Sequence, residues 1–93
     1  MLEVNTLKGL NMTRFTITNL RALVDEANEC YPLHEQNGYG DYRRFTVYRA
    51  YGCSRVDMLT PGSTAHLPVS DFGTAREAAE SFNSWILNNH NIL

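Results

Sequence analysis

Cysteine is scarce in this chain: Cys30 and Cys53 are the only two. They show no C-x-x-C spacing, which excludes a disulfide framework and a thiolate zinc site and points to reduced thiols. Neither sign of charge dominates. Eight basic residues face ten acidic ones, a net charge of −2, so the chain lacks the basic footprint of a nucleic-acid binder. No apolar run approaches the length of a membrane span. The first ten residues carry Glu3 and Lys8 among scattered leucines, which is not the pattern of a signal peptide. Also missing are a glycine-rich phosphate loop, an H-x-x-x-H pair, a G-x-S-x-G elbow around Ser54 and carboxylates paired at a useful spacing. His34, His66 and His90 therefore read as isolated histidines. No cofactor and no metal is expected, and neither is an enzyme.

Hydrophobic residues make up 43% of the 93 and charged residues 19%, a balance that supports one globular domain rather than disorder. Residues 1–11 fit no clear period, and residues 1–15 stand apart from the domain that follows. They read either as an extra N-terminal edge strand over residues 2–7 or as an extension ahead of a natural start at Met12. Residues 16–93 read as a single domain.

Leu20, Leu23, Val24 and Ala27 recur at i, i+3, i+4 and i+7, which predicts an amphipathic helix over residues 16–30. Thr16 or Thr18 would cap it, and Pro32 would end it. Residues 31–42 read as a mobile loop with turn chemistry at Asn37-Gly38 and Gly40-Asp41. From residue 43 the pattern alternates. Phe45, Val47 and Tyr51 fall on an apolar side, and Arg44, Thr46, Tyr48 and Ala50 on the other. Gly52-Cys53 reads as a tight turn. A second strand carries Arg55 and Asp57, with Val56 and Met58 on the opposite side. Thr60-Pro61-Gly62-Ser63 suits a type II turn. A third strand then sets Ala65, Leu67 and Val69 against Thr64, His66 and Pro68, with Pro68 marking a sheet edge. Thr74-Ala75-Arg76-Glu77 is a capping box. It opens a helix to about residue 87 whose stripe is Ala75, Ala79, Phe82 and Ile86.

The predicted class is α+β in the order α-β-β-β-α: two layers, a three-stranded antiparallel sheet with both helices on one face. The other face would carry Arg44, Tyr48, Arg55 and His66. Tyr39 and Tyr42, from the preceding loop, would join them. Tyr and Arg are the types that dominate binding energy at interfaces, and they also stack on bases and neutralise phosphates. These six residues are the candidate partner-binding site. The carboxylates Asp25, Glu26, Glu29 and Glu35 read as a solvated helix face. The exposed sheet with an edge also allows a homodimer.

The element order resembles the double-stranded-RNA-binding domain. Where that family opens its second helix with a lysine cluster, this chain reads "GTAREAAES", with Arg76 set against Glu77 and Glu80. The loop between its first two strands is only Gly52-Cys53, without the family's proline and histidine. Over "TITNLRALVDEAN", "FTVYRAYG" and "TAREAAESF" the chain resembles short bacteriophage and prophage accessory proteins. Anti-CRISPR proteins are the best-known group of these. That resemblance implies a non-catalytic inhibitor in the cytoplasm of a bacterial host, binding a host protein such as a CRISPR or other defence component. A nucleic-acid-binding module using the same Arg/Tyr face is the alternative, and no membrane partner is expected.

Overall fold

A computed structural model describes residues 14–93. The edge strand over residues 2–7 and the start at Met12 lie outside the described residues. The elements run α1 (Ile17–Cys30), β1 (Phe45–Ala50), β2 (Cys53–Met58), β3 (Leu67–Pro68), α2 (Ala75–Asn89) and a closing 3₁₀ turn (His90–Ile92). The fold is α+β, with an antiparallel sheet ordered β1-β2-β3.

Each helix starts where its side chains satisfy orphan backbone donors. The Thr16 hydroxyl accepts from Asn19 N–H and the Asn19 side chain accepts from Thr16 N–H. Thr74 and Glu77 make the same reciprocal pair at α2. The backbone and hydroxyl bonds from Thr74, in that order, hold the Glu77 carboxyl below its ordinary range. Both helices bury their apolar stripes against one side of the sheet. Leu20, Leu23, Val24 and Ala27 from α1 meet Ala78, Ala79, Phe82 and Ile86 from α2 around Phe45 and Val56. The alanines let α2 lie close. The Phe45 ring meets Phe82 edge-on at 5.0 Å and Trp85 at 6.0 Å. Burying each phenylalanine contributes about 1.5–3 kcal/mol.

Tyr51 is not in the core. Ala50 pairs with Cys53, so the hairpin loop is Tyr51-Gly52, both at positive φ (55° and 75°). This is a type I′ turn, whose twist matches the strands and which demands the left-handed region at both central residues. Pairing stops at Ala50, and Tyr51 is left 97% exposed. The turn therefore lies one residue earlier than the sequence pattern suggests, and Cys53 begins β2. A tyrosine strains this conformation where asparagine does not. Tyr51→Asn is expected to raise the unfolding free energy by about 0.5–1 kcal/mol, read as a higher urea midpoint with an unchanged slope.

The third strand is also shorter than its alternation suggests. Only Leu67 and Pro68 form a ladder with Met58 and Asp57. Pro68 has no N–H to continue it. One further bond follows, from Val69 N–H to the Val56 carbonyl. Ser70 then fills in with its hydroxyl, which accepts from Val56 N–H, and the chain bows outward. It rejoins β2 at Gly73, which exchanges both backbone bonds with Ser54. The bow pushes Phe72 out beside β2.

Candidate functional site

The face of the sheet away from the helices is built by strand alternation. Thr46, Tyr48 and Ala50 on β1 sit opposite Asp57, Arg55 and Cys53 on β2. The helix-side residues Phe45, Val47, Val56 and Met58 belong to or pack on the core. Tyr48 and Arg55 are thus direct cross-strand neighbours on the open face. The Arg55 guanidinium lies 4.8 Å from the Tyr48 ring centroid and 5.7 Å from that of Phe72. The two rings are 6.1 Å apart and tilted. Guanidinium and rings thus form a triangle in which Arg55 packs against both, and a good cation–π contact contributes about 0.5–1 kcal/mol.

Asp57 is the anchor under this cluster. Its side chain is fully buried and makes three polar contacts. Arg55 Nε donates to Oδ1 at 2.6 Å and Arg55 Nη2 to Oδ2 at 3.2 Å. His66 Nδ1 lies 3.1 Å from Oδ2. A carboxylate only accepts, so Nδ1 carries the proton. The Tyr39 hydroxyl donates to the Thr64 carbonyl at 3.1 Å and lies 3.1 Å from the other ring nitrogen, Nε2. The Asp57 hydrogen bond holds the Arg55 guanidinium above its ordinary value, against the effect of burial, with charge attraction to Asp57 and then Tyr48 adding. The network runs unbroken from Tyr39 through His66, Asp57 and Arg55 to Tyr48 and Phe72.

The structure therefore brings together Tyr39, Tyr48, Arg55 and His66 of the predicted site. Arg44 is elsewhere. It precedes β1, and its guanidinium turns to the end of α1, donating to the Tyr31 carbonyl at 2.8 Å and the Pro32 carbonyl at 3.2 Å. There it does the work of a cation at a helix C-terminus, satisfying carbonyls that have no partner in the helix. Burial lowers the guanidinium from its ordinary value, and those two bonds offset the lost hydration. Tyr42 is exposed in the loop, and no hydrogen bond or ring contact joins it to the cluster among the described residues. Phe72 is a member that the residue pattern does not reveal. The alternation stops at Val69, and only the return of the chain to Ser54 places that ring over Arg55.

The loop that carries Tyr39 is tied down rather than mobile. Asn37, nearly buried, is its hub. Its amide donates to the Asp41 carboxylate and the Arg43 carbonyl, and its oxygen accepts from the backbone N–H of Tyr39 and Asp41. Gly38 N–H bonds the Ser63 carbonyl, and a Cβ on Gly38 would fall 2.7 Å from the Ser63 carbonyl carbon. Only glycine lets the two loops approach this closely.

Carboxylate, imidazole and hydroxyl in series have the order of a proton relay. Here the carboxylate is already engaged by an arginine and the hydroxyl faces a carbonyl, so the series reads as a structural clasp between the loops and the sheet. Among the described residues no group of three or more His, Cys, Asp and Glu could hold a metal ion, and no helix is long and apolar enough to cross a membrane. Comparison of the chain with protein-family models, with curated proteins and with solved structures finds no match.

Proposed function

We propose that this protein is a non-catalytic interaction module that grips another protein with the open face of its sheet. Tyr48, Arg55 and Phe72 are the anchors, and Tyr39 and His66 form the rim. The observation that carries this reading is the state of Arg55. Its charge is matched by the buried Asp57, and it packs against both rings, 4.8 Å from the Tyr48 centroid and 5.7 Å from that of Phe72. The face thus offers rigid aromatic area rather than free positive charge, which suits a desolvated protein interface better than a row of phosphates. The likeness to short phage proteins supports a bacterial host protein as the target, with a CRISPR or other defence component foremost. Blocking such a target would need only stoichiometric binding.

The test is capture from bacterial lysate by the immobilised chain, compared with a Tyr48→Ala/Phe72→Ala chain. Two lost anchors of about 2 kcal/mol each weaken binding by roughly a thousandfold, so the captured protein should disappear while the thermal melt stays close to the parent. Equal capture by both chains would refute the assignment of the face. Labelled DNA and RNA, titrated at low and moderate salt, test the nucleic-acid alternative. Binding that collapses with salt would favour that module instead.

A further inference from the structure

The outer edge of β1 carries a second, independent message. Backbone groups on a strand point alternately to either side. The Arg44 carbonyl accepts from Leu59 N–H on the β2 side, so Phe45, Val47 and Arg49 present their N–H and C=O groups outward. The Phe45 groups are taken: Asn28 of α1 accepts from Phe45 N–H at 2.7 Å and donates to the Phe45 carbonyl at 3.0 Å. Among the described residues nothing pairs with the outward groups of Val47 and Arg49. The opposite edge of the sheet is short and ends in Pro68, a common protection against pairing. The β1 edge has no proline, glycine or lysine to protect it; its one charge is Arg49.

We infer that two copies of this chain join antiparallel along β1, with the two-fold axis at Tyr48, to make a continuous six-stranded sheet. The register follows from which groups are open. Centring the axis on Tyr48 sets Val47 opposite Arg49 of the second copy, and Arg49 opposite its Val47. Each pair exchanges both N–H···O=C bonds. Centring on Val47 would set Arg49 against Phe45, already held by Asn28. Centring on Arg49 would set Val47 against Tyr51, which lies in the turn. Only the Tyr48 register satisfies every open group.

Side-chain chemistry supports the same register. Val47 lines an open cleft between β1 and α1, together with Arg21, Asp25, Asn28 and Arg43. Arg49 of the second copy, standing opposite Val47, enters this cleft beside Asp25. Arg43 is drawn off to Asp41 at 3.5 Å, which leaves Arg21 as the one opposing cation. On the other face the two Tyr48 residues become a close cross-strand pair, and the Arg55–Phe72 clusters flank it symmetrically.

Disulfide trapping tests the register in the full chain, with Cys30 and Cys53 replaced by serine. Two residues on the axis form a non-hydrogen-bonded pair with Cα atoms about 4.5 Å apart, within disulfide range. Tyr48→Cys should therefore cross-link under mild oxidation. Thr46→Cys should not, because its two copies would lie about 13 Å apart along the strand. Sedimentation should show the parent chain doubling in mass with concentration. Arg49→Pro, which removes an outward N–H and suits an edge strand, should stay monomeric with an unchanged circular dichroism spectrum. If that variant fails to fold, the cross-linking pair still decides. A parent chain monomeric at every concentration, or equal trapping at positions 46 and 48, overturns the proposal.

Discussion

An Asp57→Ala chain is expected to unfold about 3 kcal/mol more easily than the parent. The substitution removes a fully buried carboxylate and with it three contacts, two to Arg55 and one to His66. Hydrogen bonds to a charged group are worth about 1.5–3 kcal/mol each. The sum is not reached, because Arg55 and His66 are each about a third exposed (27% and 33%) and recover water when released. Arg55→Ala is expected to cost as much or more, since it strands the carboxylate under the sheet with only His66 for company. The double variant should cost clearly less than the two singles added together, because it leaves no stranded charge. Urea melts of the four chains would give the coupling, expected near 2 kcal/mol. Strict additivity would mean that the pair is geometry without energy. Either single variant should also disturb the packing of position 55 against the Tyr48 and Phe72 rings, so weakened partner capture alone would not separate folding from binding. The Tyr48 and Phe72 substitutions make that separation, since both residues lie at the surface (42% and 43% exposed) outside the core.

Asn28→Ala is the second large effect, expected near 3 kcal/mol. One side-chain amide here serves three backbone groups: the N–H of Arg44, the N–H of Phe45 and the carbonyl of Phe45. Each bond contributes about 1 kcal/mol net. Phe45 itself is fully buried, so its backbone cannot simply turn to water. Asn28→Asp keeps the acceptor for the two N–H groups and loses the donor to the carbonyl, and should fall between parent and alanine in a urea melt. Equal stability of all three chains would show that the strand start is held by packing alone. The alanine chain also leaves the outward backbone groups of Phe45 without their Asn28 partner. Trapping specific to position 48 should then weaken, because pairing centred on Val47 gains a second open group.

These polar anchors mark the boundary of what could be read from residue patterns. Both helices were legible, because Leu20, Leu23, Val24 and Ala27 and then Ala79, Phe82 and Ile86 repeat at the helical period and each helix begins on a capping threonine. The first two strands, and the placing of Tyr48 and Arg55 on one face, followed from period-two alternation. Alternation cannot see where a hairpin turns, however, and so it puts Tyr51 on the apolar side of the strand with Phe45 and Val47. It also cannot tell a strand from an extended loop with the same pattern, and it runs the third strand through Thr64–His66, where no strand among the described residues pairs with it. Arg44 followed the alternation on paper but obeyed a stronger local demand, the open carbonyls at the end of α1. Phe72, Asn28 and Asn37 act through contacts distant in sequence, which no periodicity reports.

The edge-on contact between Trp85 and Phe45 has a practical consequence. Trp85 is the only tryptophan, and it sits in the helical layer on the side of the sheet away from Tyr48, Arg55 and Phe72. Its emission is a built-in gauge of whether the interior is intact, and it should be blind to what docks on the far side. A ligand that leaves the fluorescence spectrum alone while shifting the melting curve upward would have been caught binding without disturbing the fold.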